Sequence, residues 1–244
     1  ALTTRQVNVM TTAQIAALTS DQVASLTTAQ LVGLTTAQLT ALDLADVTAM
    51  TTAQVASFTT DQTVALTTGQ ISNLTTAQLA GMTTNQVAAM ETADLVAVTT
   101  AQLVALTTAQ MVALTTDQVS NLTTDQLAAL TTKQVIVLET DDLQAVTTAQ
   151  MQTMTTLQMA VLKTAQMVAL TTDQVSNLTT AQLTAFTSLQ VAAIETDDLV
   201  AVTTAQLIAM TSAQVASFTT DQVVALTTAQ VSTLTTAQLA AMTT

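Results

Sequence analysis

Residues 26–34 read Leu-Thr-Thr-Ala-Gln-Leu-Val-Gly-Leu, and the way this string repeats decides the fold. Lettering the octad a to h from Leu26, the same frame runs from Leu2 to Met242 without an insertion. Position a is always apolar. Position b is Thr except at Asp43, Glu91, Glu139, Lys163 and Glu195. Position c is Thr or Ser except at Leu44. Position e is Gln except at Asp46, Asp94, Asp142 and Asp198. Position f is Val, Leu, Ile or Met, with Thr63 as the one departure. Position h is mostly small.

One long helix does not fit this period. Eight residues at about 100° each overshoot two full turns by about 80°, so an a/f stripe would spiral round the helix and face no partner. A β-solenoid fits poorly too. Positions a and f lie five apart, which puts them on opposite faces of a strand. The chain has only three Gly and no Pro to build corners.

A short helix explains nearly every position. Thr(b)-Thr(c)-x(d)-Gln(e) is a capping box, in which the b hydroxyl accepts from the e amide and the Gln reaches back to the b amide. Residue a then stands at N′ and f at N4, the hydrophobic-staple pair. The helix is expected from c to h, about a turn and a half. Positions b, c, d and e are expected to face outward or to cap. The cap Thr is expected to matter more than the Gln, with Thr→Ala at b costing about 0.5–2 kcal/mol and Gln→Ala at e somewhat less.

Such helices are marginal alone. They become stable if a and f of successive coils stack into one core, as in repeat arrays whose units contact only their neighbours. The expected fold class is therefore all-α. It is a solenoid of about thirty short helices, one per octapeptide, with roughly three to four helices per superhelical turn. The array is expected to be a single domain over 1–244, with no internal boundary.

The string LTTAQ at Leu26–Gln30 resembles the LTPEQ-type short-helix motif of bacterial proteins. Thr and Ala stand here where Pro and Glu stand there. Long LTTAQ arrays also resemble segments of very large bacterial surface proteins called adhesin-like. The resemblance covers the whole chain. It implies a surface or extracellular location and an extended shape, but no chemical activity.

Composition narrows the function. The formal charge is −13, from sixteen acids against Arg5, Lys133 and Lys163, and aromatics are limited to Phe58, Phe186 and Phe218. A nucleic-acid surface needs clustered bases and stacking rings, so none is expected. No apolar run is long enough to span a membrane. Without Cys or His the chain lacks thiolate nucleophiles, disulfides and the commonest general base. Nothing supplies a nucleophile–base pair or a phosphate-cradling loop, so no enzyme and no cofactor are expected. The Met residues all fall at a or f, where they read as core filler.

The remaining candidates are acidic. Glu139/Asp141/Asp142 and Glu195/Asp197/Asp198 form the denser clusters, and Asp43/Asp46 and Glu91/Asp94 the sparser ones. Calcium coordination is the functional reading, since hard cations want several carboxylate oxygens. The spacing is not that of an EF-hand, and carboxylates at helix N-termini are favoured on their own account. Asn73, Asn121 and Asn177 each open an Asn-Leu-Thr sequon, but at position h they read first as helix C-terminal residues. Rows of Thr at b and c give ice binding as a further alternative.

The acidic units begin at Asp43, Glu91, Glu139 and Glu195, spaced 48, 48 and 56 residues. Duplication of six- or seven-octad cassettes explains this. So does a superhelix that returns these units to one face every second turn. Neither ALTTRQVN at the start nor TTAQLAAMTT at the end differs from the interior, so a longer array or end-to-end self-association into filaments is expected. The reading is a structural rod, stalk or filament segment, with a repeat binding scaffold or adhesive surface as the alternative.

Overall fold

The computed structural model describes residues 2–242 and contains, among them, thirty short α-helices and no strand. They run from α1 (Thr4–Asn8) to α30 (Thr236–Ala241), one per octad, each four to six residues long. Every helix begins at position c. The b residue is its N-cap in extended conformation, as at Thr51, with φ −73° and ψ 158°. Both halves of the capping box close at α7 (Thr52–Ala56): Gln54 N–H donates to Thr51 Oγ1 at 3.2 Å, and Thr51 N–H donates to Gln54 Oε1 at 2.6 Å. No described residue has a positive φ, so the helices end without a left-handed cap. At Asn73, Asn121 and Asn177 the side chain takes over that task. Each Nδ2 donates to the carbonyl four residues back, at 2.8 Å in all three cases.

Two compact units divide the chain, residues 1–122 and 123–244. Within the first, each helix packs on the third helix after it, as α7 does on α10 (Thr76–Gly81) and α10 on α13 (Thr100–Val104). The second unit follows the same rule, as α22 (Thr172–Ser176) packs on α25 (Thr196–Ala201). Hydrogen bonds between coils join residues 25 to 31 apart. Three octads are 24 residues and four are 32, so the superhelical turn closes within the expected three to four helices.

The interior of each unit is built from a and f. Val55, Leu103, Val135 and Leu183 at f are 0% exposed, and Leu74, Leu122, Val146 and Val202 at a are 2% exposed. Burying a side chain of this size is worth about 1.5–3 kcal/mol. That gain per octad is what lets helices too short to persist alone survive in the stack. Thr63 is equally buried, and its hydroxyl donates to the Thr59 carbonyl one turn back at 3.0 Å. At Gly81, a position-h residue, the coils approach closely: a Cβ there would stand 3.3 Å from Thr52 Cβ. Leu157 and Leu189 at d lie exposed, and nothing in the structure explains them.

Candidate functional site

The side chains that do most beyond packing are the Gln residues at e, and here the structure corrects the sequence reading. They cap as expected, but they do not face outward. From Gln30 to Gln238 they are buried, most of them 1–5% exposed. The reason is their second hydrogen-bonding group. With Oε1 held by its own N-cap, Gln54 turns Nε2 toward the preceding coil and donates to the carbonyls of Leu26 at 2.7 Å, Ala24 at 3.1 Å and Val23 at 3.3 Å. Gln62 does the same to Leu34 and Leu31, both at 2.9 Å, and Gln190 to Leu162 and Met159 at 2.8 and 2.9 Å. These acceptors are C-terminal carbonyls of a helix and of the turn after it, groups that a helix cannot satisfy from within. One primary amide therefore closes the start of its own helix and the end of a helix in the coil below. Gln→Ala at e removes both functions, so it is expected to cost more than Thr→Ala at b.

The four Asp residues interrupt this ladder. A carboxylate is one methylene shorter than the Gln side chain and, when ionised, accepts only. At Asp46, Asp94 and Asp198 it turns instead to the position-c hydroxyl three octads back. Ser20 Oγ donates to Asp46 Oδ1 at 3.0 Å, Thr68 Oγ1 to Asp94 Oδ1 at 2.7 Å, and Thr172 Oγ1 to Asp198 Oδ1 at 2.7 Å. The second oxygen divides the set. Asp46 Oδ2 accepts from Asp43 N–H at 3.3 Å and Asp142 Oδ2 from Glu139 N–H at 3.4 Å. Asp94 Oδ2 and Asp198 Oδ2 are buried with no hydrogen bond. At both, burial pushes the carboxyl above its ordinary range, the Thr hydroxyl pulls it back, and Glu91 or the pair Glu195 and Asp197 push it further up.

The sequence clusters are thus split by the fold. Glu139, Asp141, Glu195 and Asp197 lie exposed, while Asp142 and Asp198 point inward. Among the described residues no group of three or more carboxylates is arranged to hold a metal ion. The longer period does have geometry in the first unit. Stacking runs α3 (Ser20–Ala24), α6 (Leu44–Ala49), α9 (Thr68–Ser72), α12 (Thr92–Ala97), α15 (Thr116–Ser120), so Asp46 and Asp94 share one column with the Asn73 helix between them. In the second unit, the Asn177 helix likewise sits against the Asp198 helix.

The ALTTAQ repeat model matches residues 1–28, 40–76, 64–90, 87–124, 135–172 and 191–228, which is more than half of the chain. The chain belongs to the ALTTAQ repeat family. The six letters of an ALTTAQ unit cover h to e, which are the close-contact residue, the core residue, the N-cap, the first two helical residues and the ladder Gln. The chain matches none of the curated proteins it was compared with. Of this ALTTAQ machinery the sequence reading found the cap and the core, and missed the Gln amide as a tie between coils.

Proposed function

We propose that this ALTTAQ array is a stalk or filament segment of a bacterial cell-surface or extracellular protein, with no catalytic activity of its own. That it is a structural repeat protein follows from the family and the repeating helical architecture. The observation that carries the finer reading is how fully the octad is committed. Positions a and f fill the core, b closes the cap, e ties coils together, and h is mostly small. Few positions remain for a binding site, and those that do vary mainly among small, acidic and aliphatic residues. No helix among the described residues is long and apolar enough to cross a membrane.

Self-association belongs to the same proposal. Among the described residues, the first coil's Gln6, Gln14 and Gln22 cap their own helices but donate to no other coil. At the other end Val223, Val231 and Leu239, core positions elsewhere, are 38–54% exposed. Each surface has the chemistry that another ALTTAQ coil completes, whether from a continuing array or from a second chain. The test is electron microscopy with sedimentation over a concentration series. Narrow particles that lengthen with concentration, and that stop lengthening in a Val231→Asp variant, support the reading. Compact particles of fixed mass at every concentration contradict the self-association. Absence of the protein from the surface of intact source cells, by protease accessibility, contradicts the location.

A further inference from the structure

We propose that Asp94 and Asp198 are proton-binding positions which tighten the coils they join when neutral and loosen them when ionised. The argument starts from what every neighbour does. At e, the Gln amide puts an uncharged donor among the carbonyls of the preceding coil, as Gln86 does to Val55 and Phe58, both at 2.9 Å. An ionised Asp in that place brings a charge and no donor. Protonation of Oδ2 removes the charge and restores one donor, so the neutral acid is the form that resembles Gln chemically. Both residues are 2–3% exposed, and in both the unpartnered atom is the same oxygen, Oδ2.

The two sites share a cause. Their N-caps, Glu91 and Glu195, make no side-chain cap, and neither backbone N–H reaches the Asp, whereas Asp43 and Glu139 supply that hydrogen bond to Asp46 and Asp142. Among the described residues, the helices packed against these two sites carry no cation to compensate. Around Asp94 the ionisable groups are Glu91 on its own unit and Asp117 on α15. The helices α9, Thr84–Ala89 and α13 carry none, and Asp61 lies on Thr60–Ala65. Around Asp198 they are Glu195, Asp197, Asp173 on α22 and Asp221 on Thr220–Ala225. Ser188–Ala192 and Thr204–Ala209 carry none, and Lys163 is the N-cap residue of Thr164–Ala169. Glu91 at the one site, and Glu195 and Asp197 at the other, add to the preference for the neutral form.

The sign follows from linkage. A carboxyl whose folded value lies above the ordinary one of about 3.9 binds its proton more tightly in the fold than in the unfolded chain. Its contribution is full below the ordinary value and is lost as pH rises through the folded value. General repulsion in an acidic chain has the same direction, so the test needs a charge-matched control. Asp94→Gln with Asp198→Gln places at both sites the residue that fits e elsewhere. Asp21→Ala with Asp125→Ala removes the same charge from exposed d positions on α3 and Thr124–Ala129, helices not among those flanking either site. Unfolding midpoints are read by circular dichroism from about pH 7.5 to about pH 4.5. The expected result is that the Gln pair raises the midpoint at the alkaline end and flattens the rise on acidification, while the Ala pair keeps most of that rise. Equal flattening in both double variants, or none in the Gln pair, overturns the proposal.

Discussion

Gln54 Nε2 lies 2.7 Å from the carbonyl oxygen of Leu26, a residue 28 positions earlier and one coil below. The same amide's oxygen accepts from Thr51, three residues away. A local rule, the capping box, and a long-range rule, the stacking of coils, are therefore carried by one side chain. The consequence is that the array depends on e for its cohesion as well as for its helix starts.

Gln86→Glu separates the two tasks. Glu still accepts from the Thr83 amide, so the cap survives, but the donors to Val55 and Phe58 are lost and a charge faces their carbonyls. A loss of about 3–5 kcal/mol is expected, the range for an uncompensated buried charge. Thr83→Ala, which touches only the cap, costs about 0.5–2 kcal/mol. Denaturant midpoints of the two single variants give the order directly.

Thr63 is a core position filled by a hydroxyl. Thr63→Val keeps the shape, places there a residue that other units use at f, and ends the bond to the Thr59 carbonyl. Back-bonding of this kind slightly destabilises helices. The variant is expected to be as stable as the parent or more so, by up to about 1 kcal/mol. A loss above that in chemical unfolding contradicts the assignment of Thr63 to the dry core.

Gly33→Ala tests the close approach at h where it is forgiving. The new Cβ meets the Asn8 side chain at 2.5–3.0 Å, but Asn8 is exposed and its amide can swing away. Removing a glycine's freedom from the unfolded chain then gives about 0.4–1 kcal/mol of added stability. Thermal unfolding of the single variant measures it.

Leu103→Ala removes a fully buried f side chain from the middle of a coil stack. The expected cost is about 2–5 kcal/mol. Because each unit contacts only neighbours, hydrogen exchange is expected to quicken around α10 and α13 first and to leave distant helices of the same unit protected.

Much of this architecture was legible because the octad states its local rules openly. Thr at b and Gln at e fix the helix start, and a and f mark the core. The coil-to-coil tie was harder to read, since a capping box accounts for Gln at e without any long-range partner. The signal lay in what e excludes. Glu serves a capping box as well as Gln does, yet this chain of sixteen acids never places Glu at e. Four e positions do carry a carboxylate, always the shorter Asp, so the signal is the preference for an amide with its donor at every other e position. The acidic clusters were harder to read for a related reason. Residues adjacent in sequence, such as Asp197 and Asp198, point to opposite sides of the helix wall, and sequence density alone does not show which one is buried.

The stacking of each helix on the third one after it is tested most directly by a cross-link between α7 and α10. A Cβ at Gly81 stands 3.3 Å from Thr52 Cβ, close to the separation of about 3.5–4.5 Å that a disulfide spans. The chain has no Cys of its own to interfere. Thr52→Cys with Gly81→Cys should oxidise to an intramolecular disulfide while keeping the parent's helical circular dichroism. Thr52→Cys with Ala105→Cys, which puts the second thiol one coil further on, should not. Failure of the first pair to close under native conditions, or closure of the second in its place, contradicts the coil of three to four helices held together by the Gln ladder.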